Sequence, residues 1–240
     1  PHDKMFRDEK QGHFDYAPGG ICITVDGLAS WTASYAGMPR NCVSTHIILD
    51  RASPVGKRTL YAAGFENGIY KSIDDGQIWT QKNNGLGKNP YAWRLTRLPD
   101  GTLYVIMCWG VRDGVELDGE LYVSTNGAEY WERIPLPEGV NGPRDLAFDP
   151  SNPSRMYLAC WPRKSQGRQY SGGVFATDDG GQSWKSIFDK NAQTHSVTVD
   201  DQNPSTLFMV TFDSSVYRSD DKGCNWKRLG GYNFKWGHRI

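Results

Sequence analysis

The sequence has no excess of either charge and no long apolar run. It contains 27 basic and 27 acidic residues, has no formal net charge and has an isoelectric point near 7.3. A chain without a basic surplus lacks the general attraction that draws proteins to nucleic acid or anionic membranes, so neither is an expected partner. No stretch of 18 apolar residues occurs, so no membrane span is expected.

Sustained helical periodicity is also missing, and cysteines are few. The five cysteines are odd in number and lack the spacing of a metal site. We therefore expect no metal site, no cofactor, and mostly free, buried thiols in preference to a disulfide framework. The 27 Gly, 13 Pro and 9 Trp indicate an all-β protein of short strands and many turns.

A frame of Ser/Thr-x-Asp-x-Gly-x-x-Trp recurs along the chain, and we call each copy a box. The three intact boxes are formed by Ser72, Asp74, Gly76 and Trp79, by Thr177, Asp179, Gly181 and Trp184, and by Ser219, Asp221, Gly223 and Trp226. Two further copies depart from the frame at one or two positions, and we call them worn boxes. One has Ser124, Asn126, Ala128 and Trp131, and the other has Thr24, Asp26, Leu28 and Trp31. The residue types predict a hairpin turn in which the polar side chains bind backbone N–H groups, Gly takes positive φ and Trp begins the returning strand.

The boxes are spaced like units of a repeat. Their tryptophans lie 48, 52, 53 and 42 residues apart, and an apolar strand pair precedes each box from Ser72 onward. A hairpin alone cannot bury its Trp, so neighbouring copies must stack. The predicted four-stranded units cover residues 43–82, 93–134, 144–187 and 195–229, with 1–35 and 234–240 together supplying a further unit.

The boxes resemble the Asp-box, or BNR, repeat of β-propellers, which occurs in xyloglucanase-type glycoside hydrolases, sialidases, sortilin-type receptors and a photosystem assembly factor. The resemblance implies an all-β fold, a β-propeller of four-stranded antiparallel blades with Asp-box turns, formed by 1–240 as a single domain or segment. About five blades are visible. Either 234–240 joins the N-terminal strands, with Lys4-Met5-Phe6 as a further strand, to close a five-blade ring, or the chain is part of a larger ring. We favour the larger ring, because Asp-box propellers usually have more than five blades.

In the resembling enzymes, ligands bind on the face opposite the boxes. The two longest loops are expected there, at 109–119 and 161–170. Trp109 and Trp161 begin these loops, and Tyr170 ends the second. They are candidate sugar-stacking platforms, whereas the competing interpretation is packing between blades, which is the commoner role of repeated aromatics.

A second candidate set lies where the chain enters each inner strand. Its members, predicted to converge on the axis and bind substrate, are His46, Arg94, Arg144 and His195, with His238 and Arg239 as a C-terminal counterpart. The alternative for the histidines is a hydrogen bond to backbone groups at the starts of the strands. A glycosidase needs two carboxyl groups across the scissile bond. We predict Asp145 as one of them, paired with Asp113, Glu116 or Asp118. The alternatives are an ion pair of Asp145 with Arg94 or Arg144, and loops that are merely solvated.

Two functions follow as hypotheses. The first is an extracytoplasmic, secreted or periplasmic propeller that binds or hydrolyses a polysaccharide through its loop face. The second is a non-catalytic propeller that docks a protein partner or the remainder of a larger assembly. The chain begins at Pro1 without Met or a secretion signal, which favours a processed or excised form.

Overall fold

A computed structural model describes residues 6–7, 14–15, 20–212 and 215–229, and these residues form strands and turns without a helix. The first twelve strands are β1 (Phe6–Arg7), β2 (Phe14–Asp15), β3 (Ile21–Ile23), β4 (Thr32–Ser34), β5 (Val43–Leu49), β6 (Leu60–Phe65), β7 (Gly68–Ser72), β8 (Thr80–Gln81), β9 (Ala92–Arg97), β10 (Leu103–Met107), β11 (Gly110–Arg112) and β12 (Val115–Leu117). The others are β13 (Glu120–Ser124), β14 (Glu132–Ile134), β15 (Pro143–Asp149), β16 (Asn152–Cys160), β17 (Arg163–Ser165), β18 (Arg168–Tyr170), β19 (Gly173–Thr177), β20 (Lys185–Ser186), β21 (Thr194–Val199), β22 (Leu207–Thr211), β23 (Val216–Ser219) and β24 (Lys227–Arg228).

The strands build the predicted four-stranded blades. The four-stranded sheets have the orders β5-β6-β7-β8, β14-β13-β10-β9, β15-β16-β19-β20 and β21-β22-β23-β24. Four two-stranded sheets are formed by β1-β2, β3-β4, β11-β12 and β17-β18. The all-β prediction is therefore confirmed, and each blade is a simple meander whose inner strand comes first in the chain.

The chain divides into two compact units. Unit 1 comprises Pro1–Leu103 and Ser124–Trp131, and unit 2 comprises Tyr104–Val123 and Glu132–Ile240. The core of unit 1 includes Ile21 of β3 together with Ala62 and Trp79 of the blade at 43–82. The core of unit 2 includes Tyr157 and Leu207. Each core contains side chains from different blades, as expected where blades cover one another's faces.

Central strands are buried on both faces. In β16 every residue from Met156 to Cys160 is buried, so this strand reads as a continuous apolar run instead of an alternating one. The strand begins at Asn152, four residues before the apolar run that predicted it. Pro153 lies in its exposed first part, where a missing N–H costs little.

All five box turns have the same hydrogen bonds. In the box of Thr177, the Thr177 hydroxyl donates to Asp179 (2.6 Å) and accepts the Gly181 N–H (3.1 Å), and Asp179 accepts the Ser183 N–H (2.9 Å). The other intact and worn boxes repeat this pattern. In the worn boxes Ala128 and Leu28 hold positive φ, at 69° and 78°. The side-chain hydrogen bonds therefore fix the turn even where Gly is absent.

The box tryptophans join neighbouring blades. In unit 1, Trp131 Nε1 donates to the carbonyl oxygen of Lys82 at 2.8 Å. In unit 2, Trp184 donates to Pro135 and Trp226 donates to Ile187, each at 2.9 Å. Each acceptor lies three or four residues after the preceding box Trp, at the residue that follows the outer strand. The predicted stacking of hairpins thus includes a repeated hydrogen bond as well as apolar contact.

The predicted closing strand at 234–240 lies outside the described residues, as do His238, Lys4 and Met5. Phe6 belongs to β1, which pairs with β2. The strands β3 and β4 pair only with each other among the described strands. Both arrangements considered above, a closed ring and a segment of a larger one, stay predictions.

Candidate functional site

The blades have two distinct ends. In an antiparallel meander the first and third connections lie at one end and the second connection at the other. The Gly180 N–H donates to the Ser154 carbonyl (3.0 Å) and the Lys222 N–H donates to the Ser205 carbonyl (2.9 Å), so these two box turns are bonded at or beside the first connections of their blades. We call this the box end, and the opposite end the loop end.

Two hairpins extend from the loop end of unit 2. They are β11-β12 and β17-β18, and each follows the second strand of its blade. Their two-residue turns, Asp113-Gly114 and Gln166-Gly167, have positive φ at both positions, as type I′ hairpin turns require. The sequence predicted long loops here, and the structure gives each of them a regular backbone.

The two hairpins cover a layered cluster of tryptophan and arginine. The Arg163 guanidinium lies 4.3 Å from the centroid of the Trp109 ring. Arg144 lies near two rings, 5.9 Å from Trp109 and 5.5 Å from Trp161. Cations at these distances are attracted by the ring quadrupole. We call the four residues the Trp109 stack.

Glu116 connects the hairpins across the Trp109 stack. One Glu116 oxygen accepts a hydrogen bond from Arg163 Nη2 (3.1 Å) and another from the Ser165 hydroxyl. Arg163 and Ser165 are alternate residues of β17 and therefore lie on one face of the hairpin. Sequence reasoning did not select this pair, although their spacing of two on a strand was the available signal.

The second tryptophan is packed by aromatic edges. Trp161 contacts His195 and Phe212 in T-shaped geometry, with centroids 4.9 Å and 5.0 Å apart. His195 is buried. Both candidate platforms, Trp109 and Trp161, therefore contact other side chains of unit 2 in this conformation.

The inner strands share a β-bulge that sequence reasoning missed. The register shifts between Ser44 and His46 in β5, between Pro143 and Asp145 in β15, and between Thr194 and Ser196 in β21. The bulged residues are Thr45, Arg144 and His195. A bulge redirects a side chain out of the regular ladder, which explains how Arg144 and His195 reach the tryptophans. His46 is one position further along than the sequence grouping assumed.

Residues just after the bulge contact the next blade. His46 Nδ1 accepts the Leu95 N–H at 3.2 Å. Asp145 Oδ2 accepts the Ser196 hydroxyl at 2.6 Å, with both residues buried. Asp145 therefore has a positioned hydrogen bond between two blades of unit 2, and its proposed catalytic role stays a prediction.

The other predicted carboxyl groups have different surroundings. The Asp113 side chain is 94% exposed at its hairpin turn, 3.9 Å from Arg112. Asp118 accepts a hydrogen bond from Asn141 Nδ2 at 2.6 Å. Of the three candidate partners for Asp145, Glu116 is the one that contacts the Trp109 stack.

The remaining candidates are Tyr170 in unit 2 and Arg94 in unit 1. Tyr170 ends β18, half-buried, with the Arg168 guanidinium 5.3 Å from its ring centroid. Arg94 is half-buried in β9 of unit 1.

The loop end of unit 1 also has a cavity of about 120 Å³, lined by Asn41, Val43, Phe65, Glu66 and Asn67. That volume is below the usual range for small-molecule pockets, roughly 300–1,000 Å³.

Burial shapes the chemistry of the Trp109 stack. Burial lowers the pKa of the Arg144 guanidinium, and the charge of Arg163 lowers it further. Burial raises the pKa of the neighbouring Cys108 thiol to about 11. The stack is thus a desolvated, cationic region, where a charged acceptor interacts more strongly than in water.

The described residues contain neither a metal-binding cluster nor a membrane-spanning helix. No group of three or more His, Cys, Asp or Glu residues is arranged to hold a metal ion. No helix long and apolar enough to cross a membrane was found in the same part of the chain.

Antiparallel four-stranded blades, box turns and Trp contacts between blades together define a β-propeller of the Asp-box class. No family model matches the chain. It is 25% identical over 188 residues to the probable oligoxyloglucan-reducing end-specific xyloglucanase of Neosartorya fischeri, covering 72% of this chain and 20% of that protein. It is 24% identical over 241 residues to the oligoxyloglucan-reducing end-specific xyloglucanase of Emericella nidulans, covering 78% and 28%. The chain thus spans less than a third of the curated relatives it matches.

Solved structures have the same fold. The GH74 enzyme of Niastella koreensis superposes with a TM-score of 0.67 at 21% identity, covering 86% of this chain and 34% of that one. The GH74 xyloglucanase of Xanthomonas campestris gives 0.62 at 17% identity, covering 86% and 34%. YCF48 bound to D1 peptide gives 0.56 at 15% identity, covering 85% and 59%. The chain is therefore similar to xyloglucanase-type propellers, and the predicted fold class is confirmed.

Proposed function

We propose that this propeller is extracytoplasmic and binds a polysaccharide at the loop end of unit 2, with Asp145 as the carboxyl group that acts if the polysaccharide is hydrolysed. The observation that carries the proposal is the similarity to two xyloglucanases over 72% and 78% of the chain. The aromatic residues and two hairpins at the loop end support it, because sugar-binding sites combine aromatic faces with polar groups on loops.

Glycan binding is tested by affinity electrophoresis of wild type, Tyr170→Ala and Trp109→Ala in gels containing xyloglucan or other glucans. Loss of a stacking aromatic is expected to weaken retention about two- to tenfold. Tyr130→Ala is the matched control, because Tyr130 is 53% exposed on a box turn at the other end of its blade. Equal retention of all variants across the glycan panel, with unchanged thermal midpoints, would contradict binding at the loop end.

Hydrolysis is tested separately by reducing-sugar release. Asp145→Asn retains an oxygen that can accept the Ser196 hydrogen bond, so the fold should survive. A carboxyl group that acts as acid or base contributes about 10²–10⁴ in rate, and the variant should lose that factor. Release that is the same in wild type and Asp145→Asn would remove Asp145 from the mechanism. Binding without release by either protein would make the propeller a binding module.

A second candidate function is docking of a protein. It is favoured by the fold shared with YCF48 bound to D1 peptide, and by the side-chain contacts on both loop-end tryptophans. It predicts retention by no glycan and saturable binding of a peptide. Loss of peptide binding in a Tyr170→Ala variant of normal stability would locate that contact at the same end.

A further inference from the structure

Two hydrogen-bond donors in the Trp109 stack are buried without an acceptor among the described residues. They are Arg163 Nη1 and Trp109 Nε1. The Arg163 side chain is only 8% exposed, and burying an unsatisfied donor costs about 1–3 kcal/mol. Groups of this kind are rare in proteins and call for an acceptor.

The two donors are close enough for one ligand group. Arg163 Cζ lies 4.3 Å from the Trp109 ring centroid. Nη1 is one C–N bond, about 1.3 Å, from Cζ, and Nε1 is an atom of the ring itself. The two nitrogens are therefore no more than about 8 Å apart, a separation that one group with two oxygens can span with two hydrogen bonds.

The donors of the Trp109 stack favour a ligand group that only accepts hydrogen bonds. Arg and the Trp indole offer donors only. The Arg163 guanidinium already binds one carboxylate, since Nη2 donates to Glu116 at 3.1 Å. A hydrogen bond from the charged guanidinium is stronger to a carboxylate than to a neutral hydroxyl, and the nearby Arg144 adds a second positive charge to the stack.

We propose that the Trp109 stack binds the carboxylate of an acidic sugar unit, so that the polysaccharide recognised at the loop end contains uronic acid. This inference rests on the proposed function and adds the substrate class. The ligand carboxylate lies beside Glu116, whose side chain is 38% exposed, and takes its hydrogen bonds from Arg163 Nη1 and Trp109 Nε1. The hairpins β11-β12 and β17-β18 part at the Glu116 contact to admit it.

The test titrates the whole chain with oligogalacturonate, neutral xyloglucan oligosaccharide and oligoglutamate in a calorimeter. Wild type is expected to bind oligogalacturonate more tightly than the neutral glycan, with an affinity that falls as salt is added. Trp109→Phe keeps the ring and removes the N–H, and Arg163→Gln removes the fork. Each should weaken oligogalacturonate binding about tenfold or more, the usual worth of a hydrogen bond to a charged group, and leave binding of the neutral glycan unchanged.

Two further variants separate a specific contact from general charge. Glu116→Gln removes the competing carboxylate and should strengthen oligogalacturonate binding severalfold. Lys185→Gln removes one positive charge from the exposed outer strand β20 and should change nothing. Thermal midpoints of all variants show whether each still folds. Arg163→Lys keeps the charge but lacks separate nitrogens for Glu116 and the ligand, and it should bind oligogalacturonate as poorly as Arg163→Gln.

The outcomes distinguish the two proposals. If the neutral glycan binds as well as oligogalacturonate and Arg163→Gln has no effect, a buried water satisfies the donors and this inference is wrong while glycan binding stands. If oligoglutamate alone binds, the carboxylate belongs to a protein ligand, and both the acidic-sugar inference and the glycan proposal fail. If no ligand binds, both fail as well.

Discussion

Gly180 and Gly181 are neighbours in one box turn, yet their environments differ. Both have positive φ, at 72° and 92°. A Cβ on Gly181 would lie 2.5 Å from Ile134 Cγ2, whereas a Cβ on Gly180 would meet nothing within 4 Å. We expect Gly181→Ala to lower the free energy of unfolding by about 2–4 kcal/mol, from backbone strain and overpacking together. Gly180→Ala should cost only the strain, about 1–2 kcal/mol. Urea unfolding of the pair measures both, and equal losses would show that Ile134 adjusts freely.

The acidic residues of the boxes make stability depend on pH. Hydrogen bonds from Ser30 lower the pKa of Asp26 from 3.8 to about 2. The pKa of Asp179 is also lowered, chiefly by the Ser183 hydroxyl. A carboxyl group whose pKa is lower in the folded protein contributes stability above its unfolded pKa, and the contribution is lost as pH falls through the folded pKa. The boxes should therefore lose stability progressively from about pH 4 to pH 2.

Asn126 shows that an amide can fill the same place in a box. We therefore expect Asp179→Asn to fold at pH 7 with a slightly lower thermal midpoint. Its midpoint should fall less than that of wild type when the pH is lowered from 5 to 3, because the variant has no carboxyl group to protonate there. Parallel midpoint curves for the two proteins would contradict a stabilising role of the ionised Asp179.

At the scale of the element, the box Trp determines how hairpins are joined. Trp131 is fully buried and donates to Lys82, whereas Trp31 is 59% exposed. Trp131→Phe leaves a cavity and an unpaired carbonyl group, and we expect it to cost about 1–3 kcal/mol. Trp31→Phe, the same change in a worn box, should cost less than about 0.5 kcal/mol. Denaturant unfolding measures the loss of stability in each variant. Comparable losses would mean that burial and the hydrogen bond are not what stabilises the Trp131 hairpin.

The blades were predictable from sequence because their causes are local. A Ser or Thr two residues before an Asp, and a Trp five residues after it, encode turn, hydrogen bonds and returning strand within one short segment, as at Thr177, Asp179 and Trp184. Even the worn copies keep the turn, since Asn126 retains the acceptor oxygen.

The Trp109 stack was not predictable in the same way. Arg163 and Trp109 are 54 residues apart, and their contact depends on how far two hairpins lean toward each other. The bulge that directs Arg144 inserts one residue into the ladder without a distinctive residue type, so sequence alone placed His46 one position out of register. Long-range contacts and register shifts of this kind are set by tertiary packing.

At the scale of the whole molecule, the exposure of the five cysteines shows which strands are shielded from solvent. All five are free, with Cys22 and Cys224 exposed and Cys42, Cys108 and Cys160 buried. Three buried thiols and no disulfide agree with the expectation of mostly free, buried thiols, while the two exposed ones depart from it. Burial raises the pKa of Cys42 to about 11 and that of Cys160 further.

A thiol reacts through its thiolate, so raised pKa and burial both protect the three inner cysteines. In the native protein at pH 8 we expect rapid modification of two thiols by a water-soluble disulfide reagent, and of all five in denaturant. The inner three should react only at the rate at which their strands open. Mass spectrometry of partly labelled protein identifies the sites. Cys160 lies at the buried end of β16 beside the Trp109 stack. Its early labelling would mean that the loop end opens in the native state, and the labelling rate would measure that opening. Reducing agent should leave the thermal midpoint unchanged, since none of the cysteines is in a disulfide.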